Sequence, residues 1–167
     1  MDVYFISETN LKANSLITEN VDDKLLMPTL IMVQDIYLQP ILGTSMYEDF
    51  KTKIAASTLI QGEKDLITNY IYKILIYYMQ MHSISALHYR FMNKGMMVKN
   101  GESSSSASTS DLKVLKDEFR LVAENYAEML TKYLQQNIAT YPLYDIFTET
   151  GKNRITTNYT TGIDLNE

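Results

Sequence analysis

Apolar residues recur along this chain at steps of three and four over most of its length, and that period predicts helices. The first stripe is Leu30, Ile31, Val33, Tyr37 and Leu38, and the second is Tyr47, Phe50 and Ile54. A much longer one runs through Leu66, Ile67, Tyr70, Ile71, Ile74, Leu75, Tyr78, Met81, Leu87 and Phe91. The last comprises Leu112, Leu115, Phe119, Val122, Tyr126, Met129, Leu130, Tyr133 and Leu134. There is no alternation of strand and helix patterns and no internal repeat. The expected fold is all-α: a small helical bundle with two long antiparallel helices, two shorter helices packed across them, and extended N- and C-terminal segments.

Punctuating residues set the boundaries. Residues 1–19 read as an irregular arm with a short helical turn around Leu11–Ile17. Asn20 is a candidate N-cap, with Asp22 and Asp23 in the first turn, where carboxylates favour the positive helix end. Pro28 falls early in that helix and marks a kink or its true start. The stretch Asp35–Phe50, DIYLQPILGTSMYEDF, reads as a helical corner. Its first helix is expected to stop at Gln39-Pro40, the chain to turn at Leu42-Gly43, and a second helix to start at Ser45. Ser45 and Glu48 have capping-box spacing. That second helix should run from Met46 to Ala56, with Thr58–Gly62 as connector.

The long helix is expected from about Glu63, with Glu63 and Asp65 in its first turn, to a stop at Gly95. About thirty residues of helix would span roughly 45 Å. Gly101–Ser110, GESSSSASTS, is a hydrophilic low-complexity loop that cannot bury apolar area. Ser110 or Asp111 should cap the last helix, which runs to about Asn137, and Pro142 ends any continuation. The remainder is rich in Thr, Asn and Gly, and Arg154–Tyr159, RITTNY, has the pattern of a short strand. The chain therefore divides into an arm (1–19), a helical domain (20–144) and a tail (145–167).

The long stripe changes the picture most. Tyr72, Ile76, Tyr77, Met79 and Ile84 add apolar residues outside it, so this helix must be covered on several sides. Either the other helices surround it or a second subunit covers the rest. Thirteen tyrosines and ten methionines among 167 residues suit both an ordinary core and an adaptable contact surface. The 46% hydrophobic and 21% charged content is ordinary for one globular domain. A net charge of −5 counts against a general nucleic-acid binder. The absence of cysteine removes disulfides and thiolate metal sites and fits a reducing cytoplasm. The opening MDVYFISETN lacks the pattern of a signal peptide. Leu66–Met81 is broken by Asn69, Lys73 and Gln80, which makes it a poor membrane span.

Candidate chemistry is sparse. His82 and His88 are six residues apart, on different faces of one helix rather than at metal-pair spacing. No nucleophile elbow and no Gly-rich phosphate loop is present. Asp22/Asp23 and Glu63/Asp65 sit where capping explains them. Lys94, Lys99, Lys152 and Arg154 are scattered cations. Tyr77-Tyr78 is a candidate aromatic patch, although Tyr78 belongs to the core stripe. The reading assigns no catalytic residue, no cofactor and no metal, and expects no enzyme.

Four pieces, in order, resemble the head-to-tail connector (adaptor or ring) proteins of tailed bacteriophages, closest to those of crAss-like and related phages of Bacteroidetes. They are Asn20-Val21-Asp22 leading to Gln34, then Ile41-Leu42-Gly43 and Tyr47; the long Tyr-rich helix; Asn93-Lys94-Gly95 followed by Ser103–Ser110; and Ala123-Glu124-Asn125-Tyr126, then Tyr133-Leu134-Gln135-Gln136-Asn137, ending at Tyr141-Pro142-Leu143-Tyr144. Together they cover most of Asn20–Tyr144, and the tail beyond Asp145 matches no pattern of the family. The resemblance implies a virion protein at the head-to-tail interface, assembled in the host cytoplasm. It would be a ring homo-oligomer, a dodecamer matched to the portal. Its partners would be the portal protein and the next connector or tail protein, with double-stranded DNA passing through without sequence readout and no membrane involved.

Two segments are the expected contacts in such an assembly. Arg154, Ile155, Thr156, Thr157, Asn158 and Tyr159 would dock on the portal or a neighbouring subunit by strand addition or wrapping. Ser103, Ser104, Ser105 and Ser106 would face the lumen or an adjacent ring. The alternative is a helical protein-binding or scaffolding module without enzymatic activity. A nucleic-acid-binding protein, using the helices near Lys94–Lys99, is a reading of a third class.

Overall fold

The computed structural model describes residues 2–17, 19–92, 95–98 and 109–144. It is all-α, as the periodicity predicts, with two long helices that run antiparallel. α1 spans Glu8–Ala13 and α2 spans Asp23–Val33. A π-helical turn, Gln34–Leu38, carries α2 into α3 (Gln39–Leu42), and α4 follows at Thr44–Ala56. α5 (Gln61–Leu66) passes through a second π-helical turn, Ile67–Ile71, into α6 (Tyr72–His88). A small antiparallel hairpin pairs β1 (Tyr89–Met92) with β2 (Gly95–Val98), Tyr89 opposite Val98. α7, Thr109–Gln136, completes the bundle.

Several boundaries differ from the sequence expectation, each for a local reason. The first helix does not stop at Gln39-Pro40. Proline lacks the amide that would serve the carbonyl four residues back, and the wider π register just before it accommodates the gap. The helix runs on to Leu42 and ends at Gly43, whose φ of 78° and ψ of 154° suit a residue without Cβ. Gly43 is also the N-cap of α4, so Ser45 lies inside the helix and is not its cap. At the start of α2 the cap is Asp22, not Asn20: its carboxylate accepts from the Lys24 amide at 3.0 Å.

The reciprocal half of a capping box occurs instead at α5. There the Glu63 carboxylate accepts from the Ile60 amide at 3.0 Å, while Ile60 has no oxygen to return the bond. The long helix ends at His88 rather than Gly95, because the chain passes into the hairpin, with Gly95 opening its second strand. Ser110 and Asp111 belong to α7 itself, which begins at Thr109.

The core is one cluster. Leu30, Val33 and Leu38 of the first stripe are buried, as are Tyr47 and Phe50 of the second. Leu66, Ile67, Ile71, Ile74, Leu75 and Tyr78 line the middle of the bundle. The N-terminal arm belongs to this core: Phe5, Ile6, Leu11 and Ile17 are all buried. Gln34, itself 1% exposed, fastens the arm. Its amide oxygen accepts from the Phe5 amide at 2.8 Å and its nitrogen donates to the Val3 carbonyl at 3.2 Å. Phe5 stacks on Tyr47, ring centres 5.3 Å apart. The Tyr47 hydroxyl crosses the helical corner to donate to Asp35 at 2.7 Å. Burial, reinforced by that bond, pushes the Tyr47 phenol well above its ordinary range.

Candidate assembly surface

α6 is the axis of the molecule, and its residues divide among three neighbours. α2 and the first π turn cover one side. Tyr37 stacks on Tyr78 at 3.9 Å between ring centres, and its hydroxyl shares a 3.0 Å hydrogen bond with His82 Nε2. Burial, and then the charge of Lys116, hold the His82 imidazole below its usual pKa, which favours the neutral ring beside Tyr37. The Tyr78 phenol is pushed up to about 12, first by burial and then by the carboxylate of Glu124.

The arm covers a second side. Gln80, buried on α6, accepts from the Leu16 amide at 3.0 Å. Lys12 on α1 reaches Glu8 at 2.7 Å and Asp23 at 2.8 Å, which ties α1 to the start of α2. Those bonds, to Asp23 first and then Glu8, raise the Lys12 pKa, and the same contact with Lys12 lowers that of Asp23.

α7 covers the third side. Tyr70 of the second π turn stacks on Tyr133 (5.0 Å) and Tyr77 of α6 on Tyr126 (5.8 Å), so rising positions on this continuous helix meet falling positions on α7. Offset aromatic pairs of this kind contribute about 0.5–1.5 kcal/mol beyond the area they bury. Phe119 approaches Tyr77 at 6.3 Å, and Lys73 lies 5.3 Å over the Tyr126 ring. The seam continues to the base of the bundle, where Tyr141 sits 6.2 Å from Tyr133 and donates to the Gly62 carbonyl at 3.4 Å. Burial, with the Tyr133 hydroxyl second, pushes the Tyr141 phenol up to about 12. Beside it, Lys53 bridges Asp49 (2.7 Å) and Glu63 (2.6 Å), and both carboxylates raise its pKa, Asp49 first.

Among the described residues, two surfaces stand out on this side of the bundle. One is a groove of about 520 Å³ over α6, between α1 and α7. Ile76, Tyr72 and Tyr77 form its floor, Tyr126 one wall, and Asn10 and Asn14 the other. The second is a stripe on α7. Leu121 is 60% exposed, Val114 59% and Met129 52%, and Leu115 is also exposed. Leu115 and Met129 were expected in the core. The inward face of α7 is instead carried by Ala123, Leu130 and Leu134, which are buried, whereas the helical period places Leu115, Val122 and Met129 beside the Tyr126 wall. Leu115 and Met129 therefore border the groove, whereas Val114 and Leu121 lie roughly 120–140° around the helix from Tyr126.

Of the sequence-predicted contact residues, Ser103, Ser104, Ser105 and Ser106 lie outside the described residues, as do Arg154, Ile155, Thr156, Thr157, Asn158 and Tyr159. Lys94, Lys99 and Lys152 and the side chain of His88 lie outside them too. Tyr77 and Tyr78 do not form one patch, since Tyr78 is buried and Tyr77 packs on α7. Among the described residues there is no group of three His, Asp or Glu side chains placed to hold a metal ion. No described helix is long and apolar enough to cross a membrane. The sequence reading missed the groove because its two walls come from α1 and α7, which are distant in the chain.

The α7 stripe is apolar, and the groove is mixed, with tyrosine rings beside Asn10, Asn14, Thr68 and Lys73; both suit contact with another macromolecule. The chain belongs to a family of unknown function, DUF6712, whose model matches residues 38–154, more than two thirds of its length. That match takes in the floor of the groove and α7 and begins after α1 and α2. No curated protein and no solved structure matches the chain.

Proposed function

We propose that this chain is a structural protomer of a phage head-to-tail connector, forming a ring beneath the portal through which genome DNA passes. The observation that carries the reading is the set of exposed apolar residues on α7, of which Leu115 and Met129 border the tyrosine groove. A bundle that leaves Val114, Leu121 and Met129 exposed on one helix has a face suited to burial in an assembly. The connector-like order of sequence features supports the same reading. A closed ring uses head-to-tail contacts that need two unlike patches on each copy. The α7 face is one patch, and the tail residues Arg154–Tyr159 supply the other, on the portal or on a neighbour.

The decisive experiment mixes the purified full chain with the portal protein of the same genome and images the product. A ring of this chain on the portal is expected. A chain that stays separate from the portal, or is missing from purified particles, overturns the reading. Deleting residues 148–167 should leave a folded bundle that no longer joins the portal.

A further inference from the structure

The N-terminal arm lies against the bundle as a bound peptide lies on a partner protein. Its anchors Phe5, Ile6, Leu11 and Ile17 are buried, and Tyr4 packs beside the same core. The Phe5 ring meets two residues of α4, stacked on Tyr47 and edge-on to Phe50 at 6.4 Å. Two buried glutamines grip the arm's main chain near its two ends. Gln34 bonds the Phe5 amide and the Val3 carbonyl, and Gln80 accepts from the Leu16 amide. Among the described residues, no backbone-to-backbone hydrogen bond joins residues 2–17 to the rest of the chain. Apolar anchors in pockets, with bonds to the main chain between them, are how proteins hold segments of other chains. Both features are the same in every copy of this one.

We propose that this seat is an exchange site between copies of the chain, in which the arm of one copy, residues 2–17, docks on the bundle of another. A second copy's arm carries the same Phe5, Leu11 and Lys12 and finds the same Tyr47, Gln34, Gln80 and Asp23. The contacts to α2, α4 and α6 that opening breaks are therefore restored by exchange, which makes the swap a low-cost step. A segment held by a few anchors and side-chain bonds belongs to the parts of a fold that open locally. From Ile17 to Asp23 the link spans at most about 21 Å, so copies that exchange arms stand side by side. Concentration sets the balance between closed and exchanged forms. The tether gives a copy's own arm an effective concentration on the order of millimolar, so dilute copies keep their own arms and crowded copies trade them. The exchange does not rest on the connector reading, although an assembly of copies supplies the density that favours it.

The test places a photo-reactive benzoylphenylalanine at the partly buried Tyr4 of the full chain, with isotopically heavy and light copies mixed in equal amounts. Irradiation should join position 4 to peptides from residues 19–144. At low micromolar concentration the pairs should be heavy to heavy and light to light. After incubation at about a millimolar, heavy-to-light pairs should rise toward half of the total. Heavy-to-light pairs that stay absent at that concentration overturn the proposal. A second readout leaves the chain unaltered. A fluorescent peptide of residues 2–17 is titrated with the full chain, and its anisotropy should rise as it takes the seat of an opened arm. The same peptide with Phe5→Asp, which would bury a charge, should bind about tenfold more weakly or worse. Equal binding of the two peptides, or no binding of either, overturns the proposal as well. Neither measurement involves the portal, so arms that exchange in a chain that ignores the portal would sink the connector reading alone.

Discussion

α6 and α7 pack against each other along most of their length, yet they are built on opposite plans. α6 is apolar around most of its circumference, and the structure surrounds it: α2, the arm and α7 bury Leu75, Met79 and Ile74 completely and Ile76 and Tyr78 nearly so. α7 buries a narrow line, Ala123, Leu130 and Leu134, and gives the rest of its surface to ion pairs such as Lys132–Glu128 and to the exposed stripe. An apolar residue on α6 is therefore core by default. One on α7 is core only if it falls on the inward line, so its type alone does not reveal its role.

The comparison breaks most sharply under truncation. Leu75→Ala should cost about 2–5 kcal/mol, since it opens a cavity in a fully packed site. Leu121→Ala should stay within about 0.5 kcal/mol. Denaturant titration of both variants checks the contrast, and equal losses would mean that α7 is covered in the free protein. The arm's contribution to covering α6 is the next largest effect. Gln34→Leu strands the buried Phe5 amide and should cost about 1–3 kcal/mol. It should also expose the arm to proteolysis ahead of the rest of the chain.

A subtler test uses pH. The folded state holds His82 below its ordinary pKa of 6.5, so the unfolded chain takes up the proton first. The His82 contribution is therefore fully present above about pH 6.5 and is lost as the pH falls from there toward the folded value. Thermal melts of the full chain between pH 7.5 and 5 should show that decline, and His82→Gln should flatten it. The lowered pKa of Asp23 acts in a separate window, below its ordinary value of 3.8.

The smallest effect has the opposite sign. The Ser83 hydroxyl is buried on α6 without a hydrogen-bond partner among the described residues, so Ser83→Ala should raise stability, by about 1 kcal/mol. A loss on calorimetry would show that the hydroxyl is paired.

Most of the fold was legible in the pattern of apolar positions. Most described residues of the stripes on α2, α4 and α6 fell inside the core, with Ile31, Tyr37, Ile54, Tyr70 and Met81 only partly buried, because helical period and burial are two expressions of the same geometry; the side chains of Leu87 and Phe91 lie outside the described residues. The π turns were not legible. The first accommodates the missing amide of Pro40, and no residue type marks the second. The role of Gln34 was not legible either: it entered only as part of the connector resemblance, and it becomes a clasp only when the arm comes within hydrogen-bond reach, at 2.8 and 3.2 Å. The candidate surface was half legible. Long-helix composition demanded cover from several sides, but which element supplied it depended on where α1 landed.

The sequence by itself determined that this chain makes helices, where most of them lie and which faces of α2, α4 and α6 turn inward, because those are set by neighbours within a few residues. Only the tertiary structure decided that the N-terminal arm completes the core, that Leu115 and Met129 face out, and that a groove lies between α1 and α7. Each of those outcomes depends on contacts between residues far apart in the chain, such as Leu16 with Gln80 or Tyr141 with Gly62, and no local pattern encodes them.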